Sequence, residues 1–114
     1  MTREWTVRLR PEAQADIAEV IMWYRREAPE QVPRFRNELA DALETIRLQP
    51  HLFPKRVGTA RHYSMRVFPY GIWYVPDEQS RVVHVLAVLH SRRNPSMIHD
   101  RVPTENNLGA RLTR

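Results

Sequence analysis

Trp5, Val7 and Leu9 alternate with Thr6, Arg8 and Arg10, which predicts a short strand with one buried face. Pro11 opens a helix at the position where its missing N–H costs nothing. Ala13, Ile17, Val20, Ile21, Tyr24 and Ala28 then follow the spacing of a single apolar helix face, until Pro29 ends it. A second helix is predicted from near Pro33, with Phe35, Leu39, Ala42, Leu43 and Ile46 as its stripe and Gln49-Pro50 as its stop. So few residues between two long amphipathic helices favour an antiparallel hairpin. Residues 50–61 lack a period and read as a loop. Strands are predicted at Tyr63–Phe68, Ile72–Val75 and Arg81–His90, the last apolar enough to be central. Pro69-Gly71 and Pro76–Ser80 supply the reversals between them. By strand parity Ser64, Arg66 and Phe68 share one face, as do Val82, His84, Leu86, Val88 and His90. The expected fold is α+β in the order β-α-α-β-β-β: a helical hairpin on a small, mostly antiparallel sheet, in two layers. The other sheet face must be covered or polar. Residues 1–99 form one domain in this reading, and 100–114 a polar tail, either flexible or a short docking helix.

Composition narrows the function. The chain has 114 residues and no cysteine, so disulfides, thiolate catalysis and cysteine-held metals are excluded. The longest apolar run, Val82–Leu89, is far too short to span a bilayer, and the N-terminus lacks a secretion signal, so a cytoplasmic protein is expected. The net charge of +5 is unevenly placed. Residues 1–50 carry 8 arginines against 9 acidic residues, whereas 51–114 carry 9 arginines and 1 lysine against 4. A basic second half suits phosphates or an acidic protein partner.

His84 and His90 are six residues apart on one strand, about 20 Å, so they cannot share a metal, and no carboxylate–histidine spacing suggests one. His84 is read as a packed strand histidine with its hydrogen bond satisfied. With 3 glycines in all there is no phosphate loop, and neither a metal nor another cofactor is expected. His90-Ser91-Arg92-Arg93-Asn94-Pro95 is the richest stretch, since it sets a proton carrier beside two guanidinium groups. RNA cleavage needs proton transfer and cations for the phosphorane charge; His90, Arg93, Arg66 and Arg61 could supply these. The competing reading pairs an arginine with a hairpin carboxylate and leaves His90 a structural role. Trp23 lies off its helix's apolar stripe and is a candidate for contact with a protein partner.

Several of these segments together resemble the ParE/RelE superfamily of type II toxin–antitoxin toxins. The resemblance rests on Val7–Ala13 with Asp16-Ile17, on Trp23-Tyr24, Phe35 and Gln49-Pro50, on Arg66–Tyr74 and on Val85–Pro95. It covers about residues 5–96. It implies a bacterial toxin held inactive by a cognate antitoxin, in a hetero-oligomer. RelE-like members cut mRNA on the ribosome with basic residues and sometimes a late tyrosine; ParE-like members poison DNA gyrase. Here Lys55 is the single lysine and no tyrosine follows Tyr74, so the resemblance is closer to ParE. The implied target is gyrase, with ribosome-bound mRNA as the alternative and an inactive binding module as a third reading. Trp23, Arg61, Arg66, Arg92 and Arg93 are the candidate partner contacts.

Overall fold

The computed structural model describes residues 4–103. Strand β1 (Thr6–Leu9) leads into α1 (Pro11–Glu27) and α2 (Gln31–Leu48), followed by β2 (Lys55–Val57), β3 (Ala60–Ser64), β4 (Tyr70–Asp77) and β5 (Val82–His90). A 3-10 turn at Pro95–Met97 precedes α3 (Ile98–Arg101). The strands form one sheet in the order β1-β5-β4-β3-β2, with β1 parallel to β5 and every other pair antiparallel. The predicted helical hairpin, mixed class and central β5 are therefore all present. α2 starts two residues before Pro33, which sits in the first turn, where no intrahelical N–H bond is lost.

Three local expectations are corrected. The segment read as a loop contains β2 and the start of β3, joined by a two-residue turn at Gly58-Thr59. Gly58 takes φ +53°, a conformation that such a turn needs and other residues resist. The strand expected to reach Phe68 stops at Ser64, because the N–H groups of Arg66, Val67 and Phe68 turn to the Glu38 carboxylate of α2 instead of a strand. Arg66 and Phe68 thus do not share a strand face with Ser64. In β5, Trp73 of β4 pairs with Ala87 but Tyr74 pairs with Val85, so Leu86 is the extra residue of a bulge. Parity switches there. Val83, Val85 and Val88 face the helical hairpin, while Leu86, Ala87 and Leu89 face the other side.

Two apolar layers result. Ala13, Val20 and Ile21 of α1 and Phe35, Leu39, Ala42 and Ile46 of α2 close over the first sheet face. Ile98, fully buried, with Met97 and Val102 covers Val57, Trp73, Val75, Leu86 and Leu89 on the second. The cover the second face required therefore comes from residues 97–102, and the boundary drawn at residue 100 falls within α3. The rest of the tail expectation, residues 104–114, lies outside the described residues.

β1 ends at Leu9, so β5 has an open edge beyond Val85. Asp16 of α1 accepts from the Val88 N–H at 3.0 Å, and Arg101 of α3 donates to the Leu86 carbonyl at 3.2 Å. The two side chains pair at 2.7 Å across that edge. One ion pair thus satisfies backbone groups that lack a strand partner and fastens α3 to α1.

Candidate functional site

His90 ends β5, and the Leu86 bulge decides which way it faces. A regular strand would put His90 on the side of His84. The extra residue moves it to the side of Val83 and Val85, against α1. There its ring meets Tyr70 edge-on, with centroids 5.3 Å apart. The Arg92 N–H donates to His90 Nδ1 at 3.1 Å. Because Nδ1 accepts, the neutral ring carries its proton on Nε2. Burial pushes the Tyr70 hydroxyl up to about 12, and neighbouring Tyr24 adds to the shift.

Trp23 stands beside Tyr24 with ring centroids 5.0 Å apart and is 48% exposed. Its predicted exposure follows from its place off the α1 stripe. Val20, Trp23, Tyr24, Tyr70, His90 and Arg93 line an open groove of about 520 Å³, with Glu19 and Arg26 also on its walls. An aromatic groove with charges of both signs suits an amphipathic peptide segment.

The remaining predicted residues lie elsewhere. Arg66 lines a second groove, about 510 Å³, beside α2. Arg61 lines neither groove: its guanidinium donates to the carbonyls of His51 at 3.1 Å and Phe53 at 2.7 Å, fastening that loop. Arg92 is exposed outside the groove that holds Arg93. Of the four residues suited to RNA cleavage, only His90 and Arg93 are brought together.

Sequence reasoning missed a second histidine site on the far sheet face. His62 of β3 packs its ring on Trp73, with centroids 4.6 Å apart, and its Nδ1 lies 3.4 Å from Arg56. Burial lowers the basicity of His62, and the Arg56 charge lowers it further. Its ring lies directly over Gly71, where a Cβ would stand 2.0 Å from Nε2. The Gly58-Thr59 turn was the available signal, since it sets the start and therefore the parity of β3. The Glu38 contact was also missed, and nothing local signals a bond across 28 residues.

Residues 7–95 match the ParE toxin of the type II toxin–antitoxin system parDE. The chain belongs to the ParE toxin family. Toxin ParE2 of Mycobacterium tuberculosis, in two strains, is 29% identical over 99 residues, covering 86% of this chain and 90% of its own. The chromosomal ParDE toxin–antitoxin system of P. aeruginosa contains a chain with the same fold, at a TM-score of 0.68 and 12% identity, covering 78% of this chain and 98% of that one. A mutant of E. coli toxin RelE in the free state is also similar in fold, at a TM-score of 0.56 and 11% identity, covering 87% and 94%. In this ParE-family toxin the α1–β5 groove and the His62 site lie on opposite faces of one sheet. Among the described residues, no group of three or more His, Asp or Glu could hold a metal ion, and no helix is long and apolar enough to cross a membrane.

Proposed function

We propose that this ParE-family toxin inhibits DNA gyrase in the cytoplasm by protein–protein contact, without chemistry of its own, and that a cognate antitoxin neutralises it. The dispersal of His90, Arg93, Arg66 and Arg61 carries this reading. A cleaving site needs its proton carrier and its cations around one phosphate. Here Arg61 is committed to two loop carbonyls and Arg66 lies beside α2. The antitoxin docks in the α1–β5 groove in this reading, with an apolar side chain against Trp23 and acidic groups toward Arg26 and Arg93. A solved complex of a similar fold, RelBE2 of Mycobacterium tuberculosis, is itself a toxin–antitoxin complex, at a TM-score of 0.53 and 20% identity.

A second reading, ribosome-dependent mRNA cleavage, draws support from the His62–Arg56 pair. The Arg56 guanidinium can bind a phosphate, and it stands beside a half-buried imidazole whose basicity burial and that charge both lower. A supercoiling assay with purified toxin, gyrase and ATP, run beside an mRNA cleavage assay on translating ribosomes, tests both. Inhibited supercoiling with intact mRNA is the expected result. Codon-phased cuts with unaffected gyrase would refute the gyrase reading.

A further inference from the structure

Three successive backbone N–H groups converge on one carboxylate. Arg66 and Val67 donate to Glu38 Oε2, Val67 also reaches Oε1 at 3.1 Å, and Phe68 donates to Oε1 at 3.3 Å. Successive N–H groups curled in this way form a concave anion-binding nest. The nest opens onto the groove beside α2, and Val67 at its centre is 83% exposed. Arg34 and Arg66 add positive charge to the same groove, Asp41 a negative one. Nothing in the family match or the proposed target accounts for a cradle here. Capture of a peptide's C-terminal carboxylate by a backbone nest is an established mode of recognition, and a side-chain carboxylate presents the same two oxygens.

We propose that the Arg66–Phe68 turn is a binding site for a carboxylate on an acidic segment of a partner protein, and that Glu38 fills it in the free chain. Glu38 is a tethered competitor. A group held on the same scaffold acts at an effective concentration of about millimolar or more, so a free carboxylate must exceed that to enter. A partner that also binds elsewhere on the toxin presents its carboxylate under the same advantage. The site therefore stays closed to small anions and opens to a docked acidic chain. The inference stands whichever target the toxin has.

The test uses the full chain and the variants Glu38→Ala and Glu38→Gln, the second keeping the side-chain volume should the first unfold. Sodium acetate is titrated against sodium chloride at equal ionic strength, with the amide signals of residues 66–68 followed by NMR. Acetate should shift those three amides saturably in the variants, with at least tenfold higher affinity than in the unsubstituted chain, and should raise the variants' melting temperature. A short glutamate-rich peptide should compete with the acetate. No shift in a folded variant, or equal shifts with and without Glu38, would overturn the site. Tighter binding of inorganic phosphate than of acetate would overturn the carboxylate assignment in favour of a phosphate-bearing ligand.

Discussion

The Asp16–Arg101 pair should be worth far more than an ordinary surface ion pair. The side chains keep only 13% and 18% of their surface exposed, and each is also bonded to the open edge of β5. Asp16→Ala removes the acceptor of the Val88 N–H and leaves the Arg101 guanidinium mostly buried without its counter-charge. Exposed pairs contribute about 0.2–1 kcal/mol. Removing one partner of a buried pair costs about 3–5 kcal/mol. The residual exposure places this case between them, at about 2–4 kcal/mol. For a domain near this size that lowers the melting temperature by about 10–20 °C. Urea denaturation followed by tryptophan fluorescence should read the change as an earlier midpoint with an unaltered slope. Asp16→Ala combined with Arg101→Met should lose less than Asp16→Ala and Arg101→Met added together, because the double change no longer strands a charge. A cost below about 1 kcal/mol for Asp16→Ala, or strict additivity in the cycle, would refute the view that this pair closes the sheet edge.

Three further outcomes are expected. Gly71→Ala should destabilise by about 1–3 kcal/mol, because its Cβ would sit 2.0 Å from His62 Nε2 and push the ring off Trp73; His62→Ala in the same chain should recover most of that loss in a denaturation series. Burial pushes the hydroxyls of Tyr70 and Tyr74 up to about 12, above the ordinary tyrosine value near 10, so folding favours their protonated forms. That stability is complete below about pH 10 and lost as pH rises toward 12; two of the tyrosines should therefore ionise late in an absorbance titration near the alkaline transition. His62 is depressed in the folded chain, so its contribution is present above the ordinary histidine range near 6.5 and is lost on acidification; Arg56→Ala should raise its NMR titration midpoint, though not fully, since burial is the larger cause.

The helical hairpin was legible because its apolar stripes repeat over many turns: Ala13, Val20, Ile21, Phe35, Leu39, Ala42 and Ile46 are all buried as their spacing demands. The strands were legible as elements and less so at their ends. β2 holds three residues, too few for alternation to register, and only Gly58-Thr59 marks its turn. The stop at Ser64 depends on Glu38, whose approach is a consequence of tertiary structure. Pro76 reads as a breaker, yet it lies within β4, beyond the stretch where β3 pairs, so its missing N–H leaves no bond to β3 unmade. Trp23 was legible as exposed because helix geometry alone fixes its direction.

The candidate site depended on a feature that no residue type announces. Leu86 is an ordinary strand residue, and nothing in Val82–His90 marks it as the extra one. Yet its bulge decides that His90 joins Tyr70, Tyr24 and Trp23 in the α1–β5 groove rather than facing α3. β3 has no such interruption, so His62 stays on the far face with Trp73. His62 and His90 are therefore separated by the thickness of the sheet and cannot serve one reaction. This separation makes the functional alternatives independently testable. If gyrase contact is the activity, a folded His62→Ala variant should remain toxic, and Trp23→Ala should weaken antitoxin binding. If cleavage is the activity, His62→Ala should abolish mRNA cutting while Trp23→Ala leaves it intact. Loss of cutting in His90→Ala alone would place the chemistry in the groove.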